Sequence, residues 1–72
     1  MIHTMNHLKD RIERLNKIAS PQTYTIVRQY NNVYLYYEGA IIIVTRRVGE
    51  MVDVINALLY VLQRTLASLR VR

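Results

Sequence analysis

Apolar side chains recur every three or four residues along the first part of the chain. One row of this kind contains five residues: Met1, Met5, Leu8, Ile12 and Leu15. This spacing places the row on one face of an amphipathic helix, predicted over residues 3–19, with charged residues on the other faces. Pro21 restricts Ser20 to extended backbone and so ends the helix.

From Thr23 the apolar period changes to two, which predicts strands. Three strands are expected, over residues 23–30, 33–38 and 40–46. Asn31-Asn32 and Glu38-Gly39 separate them as two-residue turns. Asn and Gly tolerate the positive φ that tight hairpin turns require, so the strands form an antiparallel meander.

The two turns fix the register, and the register sorts the side chains into two faces. Regular pairing places Arg28 and Ile42 on either side of Leu35, with Val44 on the same face, which suits packing against helices. The second face is also apolar, although a half-buried strand should alternate with polar residues. Its main residues are Val27, Tyr34, Tyr36, Ile41 and Ile43.

A second helix is predicted over residues 48–69, with Thr45 as its cap and Glu50 and Asp53 at the end that favours carboxylates. Its apolar arc is wide enough to contact both the sheet and the first helix. The expected fold is a single α+β domain of order α-β-β-β-α, with both helices on one sheet face. Residues 1–22 hold the first helix and its linker, 23–46 the meander and 47–72 the second helix.

This arrangement leaves the second sheet face without a cover. Larger exposed apolar patches mark interaction sites, and tyrosine suits them because its ring is apolar and its hydroxyl tolerates water. We therefore expect the face of Val27, Tyr34, Tyr36, Ile41 and Ile43 to bind protein. A second copy of the chain is the expected partner, since two-fold dimers are the commonest assemblies. Pairing through the heptad-like first helix is the rival arrangement.

Composition supports a need for a partner. The chain has 72 residues, 51% of them hydrophobic, and no cysteine. A core of this size contributes little stability, and disulfides are excluded, so association is the remaining support. The first residues lack a signal-peptide pattern and no apolar run approaches about 18 residues, so we expect a cytoplasmic protein without a membrane partner.

Few residues suggest chemistry. His3 and His7 share one side of the first helix, but a metal site would need a third and a fourth ligand, and Asp10 is the only carboxylate in reach. Ser20 and Ser68 have no adjacent base, and no Gly-rich phosphate loop is present. We expect no enzyme activity, no cofactor and no metal.

Net charge of +5 makes nucleic acid the alternative partner. The element order and length resemble the double-stranded-RNA-binding domain, which grips successive grooves with its first helix, its first strand–strand loop and a basic start to its second helix. The resemblance lies in topology: Glu50 and Asp53 stand where that family has lysines, and the first turn is too short for its groove-binding loop. The residues that would contact nucleic acid are Lys9, Arg11, Arg14, Lys17, Arg46 and Arg47.

In size and layout the chain is also similar to small phage-encoded inhibitors of host enzymes, including some anti-CRISPR proteins. Many of those are acidic mimics of nucleic acid, whereas this chain is basic. The sequence therefore predicts a small non-enzymatic interaction module, either a homodimer or a binder of another protein such as a phage-type accessory protein.

Overall fold

A computed structural model describes residues 4–70. In chain order its elements are α1 (Met5–Ala19), β1 (Tyr24–Gln29), β2 (Asn32–Tyr37), β3 (Ala40–Thr45) and α2 (Val48–Arg70). The three strands form one antiparallel sheet in the order β1-β2-β3. Helix α1 contacts β1 and α2 contacts β3, which confirms the expected α+β fold.

Helix α1 begins with a reciprocal cap. The hydroxyl of Thr4 accepts a hydrogen bond from the His7 backbone N–H (3.4 Å), and Nδ1 of His7 accepts one from the Thr4 backbone N–H (3.2 Å). Two N–H groups that the helix leaves without partners are satisfied in this way. The helix ends at Ala19, where Ser20 turns extended ahead of Pro21 as the sequence predicts.

The first hairpin turn is Tyr30-Asn31, so the predicted Asn-Asn turn is wrong by one residue. The pairing consequently differs by two residues, and Ile26 lies opposite Leu35 where Arg28 was expected. Because side chains alternate with a period of two, this shift leaves every residue of β1 and β2 on its predicted face.

The shifted turn changes which residue of β1 lies opposite Leu35. Tyr30 takes a positive φ of 56°, a conformation that non-glycine residues seldom adopt. In this register aliphatic Ile26, and not cationic Arg28, lies opposite Leu35, which is fully buried.

The second turn forms as predicted, with Glu38 and Gly39 at φ 50° and 82°. The pairing of β2 with β3 then becomes irregular. Tyr36 lies opposite Ile41, but the next residue of β2, Leu35, lies opposite Ile43. Ile42 is therefore an extra residue, a β-bulge in which two residues oppose one.

The bulge corrects the predicted faces of β3. Ile43 pairs with Leu35 and packs against the core, so its predicted place on the uncovered face is wrong. Val44 pairs with Tyr34 and lies on the uncovered face instead, where both Ile42 and Val44 are about half exposed. One inserted residue thus exchanges the faces of every position after it.

Helix α2 begins at Val48 with a carboxylate at its start. Oε1 of Glu50 accepts a hydrogen bond from the Arg47 backbone N–H at 3.1 Å. Thr45 does not cap the helix as expected, because its hydroxyl donates to the Arg47 carbonyl oxygen (3.1 Å). The start of α2 is therefore stabilised by an acidic side chain, as the helix dipole favours.

The core lies between the two helices and the middle strand. It consists of Leu8, Ile12, Leu15, Val33, Leu35, Met51, Val52, Ile55 and Leu59. Arg11 Nε donates to Asn56 Oδ1 at 2.9 Å, and Ile18 lines a shallow hollow together with Leu66. In these contacts a higher residue number in α1 goes with a higher residue number in α2, so the two helices run side by side in the same direction.

Asn16 joins α1 to the edge of the sheet. Its amide nitrogen donates to the Tyr24 carbonyl oxygen (2.9 Å), and its amide oxygen accepts from the Tyr24 backbone N–H (2.6 Å). The side chain thereby takes the place of a neighbouring strand at the first residue of β1. Sequence reasoning missed this contact, because a polar residue on a helix carries no signal of its long-range partner.

Candidate interaction surfaces

The sheet turns an apolar face away from both helices. We call it the open sheet face, and it consists of Val27, Tyr34, Tyr36, Ile41, Ile42 and Val44. The four aliphatic residues are between 38% and 50% exposed, and the two tyrosines are half-buried. Such a set is what helices or another sheet would ordinarily cover.

No Asp, Glu, Lys, Arg or His occurs on the strand positions of the open sheet face. Thr25 and Gln29 of β1 share the face with Val27, and both are uncharged. The side chain of Arg28 points to the other side, since it pairs with buried Val33. The open sheet face is therefore neutral on a chain whose net charge is +5.

Four of the five residues predicted for this interface lie on the open sheet face: Val27, Tyr34, Tyr36 and Ile41. Ile43 does not, and the sequence analysis missed Ile42 and Val44. A run of three isoleucines fits a pleated strand in either register, so nothing in the local sequence marks the bulge. The corrected face is more apolar than the predicted one.

A second exposed apolar surface lies at the end of α2. We call it the leucine stripe, and it consists of Leu62, Leu66 and Leu69. At 100° per residue these three continue the row of Ile55 and Leu59, which are 0% and 8% exposed. Leu62 is half-buried, Leu66 is 38% exposed and Leu69 62%, so the row emerges from the core toward the end of the helix.

Shallow hollows border the leucine stripe on both sides. Ile18 of α1 closes one of them, together with Gln63, Leu66 and Ala67. The other lies beside Leu69 and is lined by Arg64, Thr65 and Ser68. Arg64 is held in place there, because its guanidinium lies 5.6 Å from the centre of the Tyr60 ring and donates to the Tyr60 hydroxyl at 3.2 Å.

The cations of α1 do not form one row. At 100° per residue Lys9, Arg14 and Lys17 spread over more than a third of the helix circumference, and Asp10 and Glu13 stand among them. Arg14 lies 4.0 Å from Asp10. Of the four predicted α1 contacts to nucleic acid, Arg11 is the one turned toward α2, where it binds Asn56.

Arg46 and Arg47 are exposed just before α2 begins. Their side chains are free of the core, so the structure leaves these two predicted contacts accessible. The Arg47 backbone N–H bonds to Glu50, which places a carboxylate beside the pair. A phosphate approaching the start of α2 would meet that negative charge as well as the two arginines.

Chemistry-bearing residues are sparse in the described part of the chain. Residues 4–70 contain no group of three or more His, Asp or Glu side chains placed to hold a metal ion. His7 takes part in the α1 cap, and His3 lies outside the described residues. Burial raises the pKa of the Tyr24 phenol above its usual 10.0, with a smaller contribution from Tyr37, whose ring centre lies 4.8 Å away.

By length and composition alone, residues Val48–Leu69 of α2 are able to cross a membrane. The sequence analysis missed this helix as a membrane candidate because polar residues such as Asp53, Asn56 and Gln63 interrupt its apolar runs. Core helices of soluble proteins pass the same test when they are mostly buried, whereas 17% of the apolar stretch of this helix is buried in the domain. The first half of α2 supplies Met51, Val52, Ile55 and Leu59 to the core, a role that a membrane-crossing helix would have to abandon.

Relatives give no further indication of what these surfaces bind. Comparison of the chain with protein-family models, with curated proteins and with solved structures found no match.

Proposed function

We propose that this protein is a non-enzymatic protein–protein interaction module that binds a second copy of itself through the open sheet face. The observation that carries the proposal is a contiguous apolar face, with Ile41, Ile42 and Val44 about half exposed, on a domain of only 72 residues. Burying it would add apolar contacts that a small core lacks.

Charge does not oppose a second copy at the open sheet face. Two copies of a chain with net charge +5 repel each other over most of their surfaces. The open sheet face is neutral, so a two-fold pairing through it brings no like charges into contact. The same patch serves both partners, as two-fold symmetry requires.

The size of the face sets the expected affinity. Three six-residue strands form a footprint of roughly 20 Å by 14 Å. Burying about 300 Å² on each of the two copies, about 600 Å² in total, corresponds to roughly 15 kcal/mol before the association entropy is subtracted. This is a small interface, and we expect a dimer with a dissociation constant on the order of micromolar.

The first helix is a weaker candidate for the dimer interface. Its heptad-like row is used inside the domain, because Leu8, Ile12 and Leu15 are all buried against α2 and the sheet. A dimer through these residues would first require α1 to leave the core. The open sheet face needs no such rearrangement.

Sedimentation of a double variant tests the proposal. Tyr36→Lys with Val44→Lys places two cations on the open sheet face, and in a two-fold dimer they would face their counterparts. We expect this variant to sediment as a monomer at concentrations where the wild type is dimeric. Tyr60→Lys with Val61→Lys is the matched control, since it changes an exposed Tyr and Val on α2.

Three results would contradict a sheet-face dimer. The first is an unchanged mass of the Tyr36→Lys, Val44→Lys variant while circular dichroism shows it folded. The second is dissociation by the Tyr60→Lys, Val61→Lys control. The third is a wild type that stays monomeric at about 100 μM, well above a micromolar dissociation constant. That last result would favour binding of a different protein, as in a phage-type accessory protein.

Nucleic-acid binding is the competing function, and the exposure of Arg46 and Arg47 favours it. Titration of labelled duplex RNA and DNA at increasing salt separates the two functions. For duplex DNA, each phosphate contact makes the binding constant fall by about 0.9 log unit for a tenfold rise in salt concentration. Tight binding at physiological salt that Arg46→Glu with Arg47→Glu abolishes would establish the competing function.

A further inference from the structure

The outer edge of β1 carries backbone groups that no neighbouring strand covers. The N–H and the carbonyl of Tyr24 both bond to the Asn16 side chain, so they point away from β2. Backbone groups alternate in direction along a strand, so those of Ile26 and Arg28 point outward as well. Within residues 4–70 no protein group bonds to these outward groups. The edge therefore offers two residues, spaced as an added strand requires, for main-chain pairing.

The outer edge of β3 differs from that of β1. Ile42 forms a bulge there, and bulges turn an edge strand away from a neighbour. β1 pairs with β2 without a break over all six of its residues and contains no proline. Of the two edges of this sheet, the edge of β1 is therefore the one with the regular geometry that a further strand needs.

The free part of this edge is short and is centred on Val27. At one end the Asn16 side chain occupies the edge at Tyr24. At the other end the chain leaves the strand at Tyr30, where the hairpin turn begins. Residues 25–29 remain, and Val27 is the middle one. A strand of the same residues running antiparallel matches this stretch in length.

We propose that the outer edge of β1 pairs antiparallel with β1 of a second copy, about a two-fold axis at Val27. In this register Ile26 lies opposite the partner's Arg28, and the two-fold symmetry repeats the pair. Opposite residues whose backbone groups point toward each other exchange both of their hydrogen bonds in an antiparallel ladder. All outward groups of Ile26 and Arg28 on both copies are thereby satisfied, and the two sheets become one.

The side chains also suit a second copy. On the open sheet face Val27 meets the partner's Val27, and Thr25 meets the partner's Gln29, so this side is uncharged. On the side of the helices Ile26 is opposite Arg28, so no two cations are directly opposite each other. The two Arg28 residues lie diagonally across the pair, roughly 7–8 Å apart, where repulsion in water is modest. Because β1 is already an ordered strand, pairing it costs less entropy than ordering a flexible peptide.

This edge is separate from the open sheet face. Sheet-face pairing stacks two sheets and leaves the edges of both copies free, so the edge contact goes beyond the proposed function and does not rest on it. The Tyr36→Lys, Val44→Lys variant opposes pairing of the faces and keeps β1 unchanged. Measurements on that variant therefore report the edge contact alone.

Amide hydrogen exchange followed by NMR tests the pairing directly. The Tyr36→Lys, Val44→Lys variant is measured at about 20 μM and at about 1 mM, a range that spans a weak dissociation constant. At the higher concentration we expect exchange at Ile26 and Arg28 to slow at least about twofold, as half of the chains become paired. Ile41, whose N–H points outward on the bulged edge of β3, should exchange at the same rate at both concentrations.

Two variants at Arg28, each made in the same background, separate the main chain from the side chain. Arg28→Pro removes the outward N–H and leaves the ladder with β2 intact, because an edge strand tolerates proline where the missing N–H would face solvent. We expect it to abolish the slowing at Ile26. Arg28→Ala keeps the N–H and removes the cation, so the slowing should be at least as large as with arginine. Circular dichroism verifies that both variants are folded.

Three results would overturn the edge pairing. Exchange at Ile26 and Arg28 that does not depend on concentration would show that a second copy does not cover the edge, and this result decides even if Arg28→Pro fails to fold. Equal slowing at Ile41 would assign the association to another surface. Loss of the slowing in folded Arg28→Ala would assign the contact to the arginine side chain. The sheet-face dimer is tested by sedimentation and stands or falls separately.

Discussion

The two halves of α2 carry the same apolar row but lie in different surroundings. In the first half Met51 and Ile55 are fully buried, and Leu59 is 8% exposed. In the second half Leu66 and Leu69 are 38% and 62% exposed. Helix α1 explains the difference, because its 15 residues end at Ala19, opposite the middle of the second half of α2.

This contrast shows that apolar periodicity identifies which side of a helix is apolar but not how much of that side other elements bury. Residues 48–69 show one continuous pattern, so the sequence alone predicts one continuous contact. In the structure the contact stops where α1 stops. The two faces of the sheet differ in the same way: both are apolar, and one of them is covered.

Truncation of leucine and isoleucine along α2 gives the largest expected effect. Ile55→Ala should lower the free energy of unfolding by about 2–5 kcal/mol, because it leaves a cavity in the core. Leu69→Ala should lower it by less than about 1 kcal/mol, since the residue is mostly in water. Urea denaturation of the monomeric protein measures both.

A similar loss of stability in both variants would break the contrast between the halves of α2. It would mean that the leucine stripe is covered in solution. Repeating the denaturation at several protein concentrations then shows whether a second copy provides the cover, because stability gained by association depends on concentration.

The bulge in β3 predicts unequal effects at two adjacent isoleucines. Ile43→Asn should lower the free energy of unfolding by about 2 kcal/mol, because Ile43 packs against the core and the asparagine would place a polar amide there. Ile42→Asn should cost under about 1 kcal/mol, since Ile42 lies half exposed on the open sheet face. Thermal or urea unfolding of the two variants decides between the registers.

The regular register that the sequence predicts gives the opposite order. In that register Ile42 lies beside Leu35 and Ile43 faces away from the helices. A larger loss at Ile42 than at Ile43 would therefore show that β3 has no bulge in solution.

Asn16 tests how α1 is held to the sheet. Asn16→Ala removes both hydrogen bonds to the Tyr24 backbone and should destabilise by about 1–2 kcal/mol. Asp10→Ala is the control, because it removes an exposed polar side chain of the same helix whose ion pair with Arg14 contributes little. Equal unfolding midpoints for Asn16→Ala and the wild type would show that the amide contact does not stabilise the domain.

The smallest effect concerns Tyr24 on the covered side of the sheet. Burial raises its pKa above 10.0, so the folded state holds the phenol proton more tightly than the unfolded state does. The resulting stability is present below pH 10.0 and is lost as the pH rises from 10.0 through the folded pKa. Absorbance at the phenolate band should show the Tyr24→Phe variant lacking a titration step above pH 10.0.

An alkaline titration of Tyr24→Phe that differs from the wild type only below pH 10.0 would contradict this placement of the ring. Tyr36→Phe serves as the comparison, because it removes a phenol from the open sheet face.

The sequence by itself determined the order of helices and strands and the sheet face on which each residue of β1 and β2 lies. The change of period at Thr23 separates helix from strand, and Glu38-Gly39 fixes the second turn where the structure has it. Four of the five residues predicted for the open sheet face lie on it, because a strand alternates strictly and the first turn shifted the pairing by an even number of residues.

Only the tertiary structure decided the register and the extent of burial. Tyr30 takes a positive φ in a register that places Ile26 and not Arg28 opposite Leu35, and no local window of the sequence indicates that pairing. The position of the bulge likewise depends on packing. Ile42 and Ile43 have equal strand propensity, but Ile43 is the one that packs against the core. Secondary-structure propensity and apolar periodicity act over a few residues. Whether an apolar surface is buried depends instead on where a distant element ends, as the contact of α1 with α2 shows.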